Sequence, residues 1–146
     1  MSTEPELHDF EDGNGPVPAR RHGNGGGWVA CTATVEDTAY IGGNARVDGE
    51  ARVTGEALVT GKAYIGGKAL VTISPIIISG LSYPIAIADQ DLRAGCQQHT
   101  FSAWRAMTPE RISAMDGQSA IDFYPVLIGI IDLLCKDREA AAQVAP

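Results

Sequence analysis

The sequence predicts a mainly β fold: a β-solenoid of three triangular coils, preceded by an irregular arm and followed by a helical region. Three observations predict it. Val29, Val35, Ile41, Val47, Val53, Val59, Ile65, Val71 and Ile77 recur every six residues without a miss. Two residues before them stand Ala33, Ala39, Ala45, Ala51, Ala57, Ala63 and Ala69. Two residues after most of them stand Gly43, Gly49, Gly55, Gly61 and Gly67. A period of six is neither the helical repeat nor simple strand alternation.

Each hexad reads as one short flat side. Its Val or Ile points inward, Ala packs near the corner, and Gly allows the turn. Three sides close an 18-residue coil, so residues 27–80 give three coils. Parallel coils stack about 4.8 Å apart, making a prism on the order of 15 Å tall. Small and β-branched residues suit so narrow an interior, in keeping with 45% hydrophobic but only 6% aromatic content.

The 146 residues amount to roughly one domain. A formal charge of −7 argues against direct binding of nucleic acid or an anionic membrane, both of which need a basic surface. Cys31, Cys96 and Cys135 are odd in number and widely spaced, which suits free thiols in a reducing compartment. The polar start Met1-Ser2-Thr3-Glu4-Pro5-Glu6 does not read as a signal peptide. The apolar runs Val126 to Cys135 and Ala69 to Ala88 are short or interrupted by Asp132, Pro75, Gly80 and Pro84. Neither is expected to span a membrane, and a soluble cytoplasmic protein is expected.

Counting by 18 sorts the outward residues into columns. One is Trp28, Arg46, Tyr64; another is Thr34, Arg52, Leu70; the third is Tyr40, Leu58, Ile76. The third face, extended by Gly42, Thr60 and Ile78, is apolar although it points outward. It calls for a cover, either the C-terminal helix or neighbouring copies around a threefold axis. The first column places a guanidinium between two aromatic rings, which either tightens the stack or offers a planar ligand the faces of Trp28 and Tyr64.

Residues 1–26 form the irregular Gly/Pro-rich arm. Its Arg20-Arg21-His22-Gly23-Asn24 run is the local cationic cluster. Adjacent arginines beside glycine-rich backbone can grip phosphate or carboxylate. The bland alternative is pairing with Glu11, Asp12 or other acids of the arm. Residues 81–146 read as a strand over Tyr83–Asp89 and then helices. Thr100 or Ser102 caps a short helix through Trp104, and Thr108-Pro109 opens the next. Asp116-Gly117 breaks that helix. The last helix spans about Ser119 to Ala142, with a kink or break at Pro125. Cys96 and His99 lack further ligands or an orienting partner in any motif, so no catalytic or metal residue is assigned and no cofactor is expected.

The repeat resembles the left-handed β-helix, or hexapeptide-repeat, superfamily over residues 27–80. Gly26-Gly27-Trp28-Val29 followed by Asn44-Ala45-Arg46-Val47-Asp48-Gly49 also resembles short phage and prophage proteins. Those proteins share a GC–H–W arrangement that Gly95, Cys96, His99 and Trp104 match. The resemblance implies a three-coil left-handed parallel β-helix, a homotrimer and a bacterial host cytoplasm. Acyl- and acetyltransferases of the superfamily use a His base and hold coenzyme A along the coils. Here the coils carry no His: His8, His22 and His99 lie outside them.

The expected function is therefore non-enzymatic binding. Arg20, Arg21, His22, Asn24, Trp28, Arg46, Tyr64, His99 and Trp104 would capture a small anionic planar ligand at subunit clefts, such as a nucleotide signal of host immunity. The alternatives are a protein-binding inhibitor of a host defence complex and an acetyltransferase. The acidity is spread along the chain, which weakens a nucleic-acid mimic.

Overall fold

A computed structural model describes residues 5–10, 15–61 and 63–144. Strands β1 (Glu6–Asp9) and β2 (Pro16–Arg21) precede the repeat. The repeat itself gives β3 (Trp28–Ala30), β4 (Thr34–Val35), β5 (Tyr40–Ile41), β6 (Arg46–Val47), β7 (Arg52–Val53), β8 (Leu58–Val59), β9 (Tyr64–Ile65) and β10 (Leu70–Val71). Then follow β11 (Ile76–Ile78), β12 (Ile85–Ile87), β13 (Asp91–Ala94), β14 (Gln97–Thr100), α1 (Phe101–Arg105), α2 (Pro109–Leu134) and α3 (Lys136–Val144).

The expected three-coil left-handed parallel β-helix is corrected. The strands fall into four small sheets, of five, three, four and two strands, and both antiparallel and parallel pairing occur. The arm is not irregular: β1 and β2 form an antiparallel hairpin, and β2 pairs antiparallel with β3. The last hexad leaves the parallel pairing. Ile76–Ile78 turns away from β8 and pairs antiparallel with β12. The physical reason is the run Ile76-Ile77-Ile78, which is apolar on both faces. Ile77 packs on the repeat core, while Ile76 and Ile78 pack on a second core. The region after the repeat is likewise a four-stranded antiparallel sheet, β11-β12-β13-β14, with helices packed against it.

Within residues 28–71 the six-residue period appears as two-residue strands, paired in parallel at 18-residue offsets. Trp28 pairs with Arg46 and Arg46 with Tyr64; Thr34 pairs with Arg52 and Arg52 with Leu70; Tyr40 pairs with Leu58. Val29, Ile41, Val47, Val53, Val59, Ile65 and Val71 are buried together with the alanines. Burying apolar atoms at about 25 cal/mol per Å² drives this core. Two of the outer edges are closed by other segments. Ile41 N donates to Asn24 O at 3.0 Å and Gly27 N to Ile41 O at 2.8 Å, covering β5. At the other end Asp89 N donates to Leu70 O, and the Asp89 carboxylate accepts from Thr72 N at 2.9 Å and from the Thr72 hydroxyl. The outer edge of β4 pairs with no strand among the described residues.

The second core joins Ile85, Ile87 and Leu92 to Phe101, Trp104, Phe123, Leu127 and Ile131. Thr100 caps α1 by accepting from Ala103 N, and Thr108 caps α2 by accepting from Arg111 N, with Pro109 in the first turn. Asp116 and Gly117 leave helical geometry inside α2, as the sequence suggests. Pro125 does not break the helix; after Gly117 the next interruption falls at Cys135. The carbonyl that Pro125 cannot bond belongs to exposed Ile121, where water can serve it. Arg138 of α3 donates to Ile87 O, Ala88 O and Ser74 O, tying the last helix to the end of the repeat. By length and composition alone α2 is long and apolar enough to cross a membrane, with mean hydropathy 1.3 over its best window. It packs Ile112, Phe123, Leu127 and Ile131 inward and leaves Ile121, Val126, Leu133 and Leu134 exposed.

Candidate functional site

The residues singled out from the sequence divide into three groups. The first surrounds the first column of the repeat. Trp28, on β3, carries His8 stacked at 4.2 Å with an interplanar angle of 13°, and the Arg21 guanidinium 4.6 Å from its centroid. Arg46 lies 4.5 Å from the Tyr64 centroid and donates to Phe10 O at 3.0 Å. Arg46 is thus paired with one ring, and it is Arg21 that reaches Trp28. A second guanidinium, that of Arg93, lies 3.9 Å from the Tyr64 centroid, and the Tyr64 hydroxyl donates to buried Asp48. Rings already carrying cations have little face left for a ligand, so this column tightens the stack.

The second feature is a cavity of about 450 Å³ at the uncovered edge of β4. Its floor is Val29, Ala33 and Val35, and its walls bring together Arg20, Arg21, His22, Gly23, Cys31, Thr34 and Asp37. Arg20 reaches Cys31 Sγ at 3.8 Å, and Arg21 donates to Gly26 O at 2.9 Å. Among the described residues no carboxylate forms an ion pair with either arginine; Glu11 and Asp12 lie outside them. His22 Nε2 is 2.7 Å from Ala39 O, and Asn24 Nδ2 donates to the same carbonyl at 3.1 Å. Those two side chains position the glycine loop; Arg20, opposite Val29 on β2, faces the cavity, whereas Arg21, opposite Trp28, lies with its guanidinium over that ring. The apolar floor can take a flat ring, and the Arg20 guanidinium can take an anionic group in bidentate fashion.

His99 and Trp104 stand apart from this cavity, on β14 and α1. Neighbouring residues of β14 face opposite ways. Gln98 points to the repeat, donating to Gly66 O at 2.7 Å and accepting from Arg93 at 3.3 Å. His99 points to the helices, edge-on to Trp104 at 4.9 Å, with Nε2 3.1 Å from Gln97 Oε1. Trp104 is buried and donates Nε1–H to Leu92 O at 2.8 Å. No group of three potential metal ligands occurs among the described residues. Cys135 is buried, and burial pushes its thiol up to about 11, so it is protonated and unreactive near neutral pH.

Burial holds the His99 pKa below its usual 6.5; Arg111 adds to this and Asp91 opposes it. The folded pKa lies below the unfolded one. The neutral ring therefore contributes stability that is fully present above about pH 6.5 and is lost as pH falls through the folded value. Thermal melts at about pH 7.5 and 5.5 are expected to show a fall in Tm that His99→Gln reduces. An equal fall in the variant would assign the loss to other groups.

Arg93, Asp48 and His8 contact the column, with Gln98 holding Arg93, and were not anticipated. The alternation Asp91-Leu92-Arg93-Ala94 before Gly95 was the signal for the strand that delivers Arg93 and, through its hairpin, Gln98. Comparison of the chain with family models, with curated proteins and with solved structures gives no match. The geometry of the chain therefore carries the functional reading.

Proposed function

We propose that this protein captures a small anionic planar ligand of nucleotide type and holds it without chemical change. The observation that carries the reading is the cavity at the β4 edge, where Arg20 stands over an apolar floor without a carboxylate partner among the described residues. Asp37 on the same wall can accept from an amino group on the ring or a sugar hydroxyl. The site narrows to Arg20, with His22, Asn24 and Gly23 shaping the loop and Arg21 bracing it through Gly26 O. The likeness to short phage proteins makes a nucleotide signal of host immunity the ligand class of choice. We also propose a homotrimer in which exposed Tyr40 and Leu58 turn toward neighbouring copies; Ile76 and Ile78 of the same face are covered by the chain's own second core.

Calorimetric titration with mononucleotides and cyclic dinucleotides tests the reading. Arg20→Ala is expected to weaken binding at least about tenfold, the loss of a charge-assisted hydrogen bond, with Tm unchanged because Arg20 is exposed. Undiminished binding in the variant, or none in the wild type, sinks the site. A protein-binding inhibitor is the second reading. It is favoured by the exposed apolar Ile121, Val126, Leu133 and Leu134 of α2 and is supported if nucleotides fail and Leu133→Lys abolishes capture of a host protein.

A further inference from the structure

We propose that the space beneath α2 is a second ligand site, built for a small neutral two-ring aromatic molecule bearing an N–H or O–H donor. A cavity of about 280 Å³ lies between the β13–β14 hairpin and α2, walled by Tyr83, Trp104, Met115, Phe123, Tyr124 and Leu127. Protein interiors pack like organic crystals and leave few gaps larger than a water molecule. An apolar cavity of about 150 Å³ stays dry and takes benzene. A space nearly twice as large, with four aromatic walls, matches two fused rings.

The polar groups are few, and each restricts the ligand. The Tyr83 hydroxyl donates to Asp116 at the rim, which leaves the other carboxylate oxygen to accept from an N–H or O–H. The same carboxylate repels anions. Gln97 Oε1 is engaged with His99, so the Gln97 amide nitrogen remains to donate to the ligand. The Tyr124 ring forms a wall, but its hydroxyl is engaged elsewhere, donating to Trp104 O at 2.6 Å. The backbone agrees with this placement. Asp116 and Gly117 interrupt α2 beside the cavity, and Gly117 adopts φ 60°, ψ −139°, a conformation glycine tolerates and other residues avoid. The break sets the Asp116 carboxylate beside Tyr83 and gives α2 a joint over the opening.

This site is chemically opposite to the arginine cavity and does not depend on it. The test is a ¹H–¹⁵N NMR titration of the full chain with indole and with 2-naphthol. Saturable shifts are expected at the Trp104 indole N–H and the Gly117 amide, with the Trp28 indole N–H unmoved. Ala120→Phe fills the cavity from α2 and is expected to weaken indole at least about tenfold. If that variant fails to fold, Asp116→Asn serves instead: naphthalene-2-sulfonate, rejected by the wild type, is expected to bind it. Absence of saturable shifts with millimolar indole overturns the proposal. So do unchanged affinity in folded Ala120→Phe and equal binding of the sulfonate by the wild type and Asp116→Asn.

Discussion

Replacing Trp104 with alanine is expected to lower the unfolding free energy by about 3–5 kcal/mol, the range for deleting a large buried aromatic side chain. Trp104 is 2% exposed and joins three parts of the second core. Its ring meets His99 of β14 edge-on, its N–H satisfies Leu92 O of β13, and its own carbonyl accepts from Tyr124 of α2. Removing the ring opens a void and takes from Leu92 O the side-chain donor it has beyond its strand partner, and both effects act in the same direction. Urea unfolding followed by far-UV circular dichroism gives the number. A loss under about 1 kcal/mol would mean that the helices are not held by this residue.

Gly49→Ala is expected to cost about 2–4 kcal/mol. Gly49 has φ +63°, and a Cβ there would lie 2.8 Å from Gly67 O and 2.9 Å from Gly67 N. The left-handed conformation alone costs a non-glycine residue about 1–2 kcal/mol. The rest is the clash, which backbone atoms cannot yield to without separating adjacent turns of the repeat. Gly61 is the internal control: it has the same φ of +63° but nothing within 4 Å of its added Cβ, so Gly61→Ala is expected to show the conformational cost alone. Equal losses at the two positions would refute the close stacking of the turns at Gly49 and Gly67.

These two residues mark where the sequence was legible. The hexad period identified the buried Val, Ile and Ala positions and the rows Trp28–Arg46–Tyr64 and Thr34–Arg52–Leu70, because each depends only on spacing and side-chain size. What happens at the ends of the repeat was not legible. Pro16 and Pro18 speak against a strand, yet β2 pairs on both sides. Ile77 continues the period, but its neighbours Ile76 and Ile78 supply a second apolar face that draws the strand into another sheet. Within the site, periodicity placed Arg46 beside Trp28 but could not say that Arg21 would reach that ring first. Long flexible side chains are settled by the whole neighbourhood, here including β1 and β13. The cavity beneath α2 is assembled from Tyr83, Cys96, Trp104, Met115, Phe123 and Leu127, which share no local pattern, so only the folded chain reveals it.

Native mass spectrometry of the gently purified protein tests the central claim most directly. The account predicts a trimer in which each subunit carries the mass of one nucleotide-like molecule, with that mass absent from Arg20→Ala. A protein that remains bare when offered mononucleotides and cyclic dinucleotides would contradict ligand capture, and a monomer would contradict the assembly.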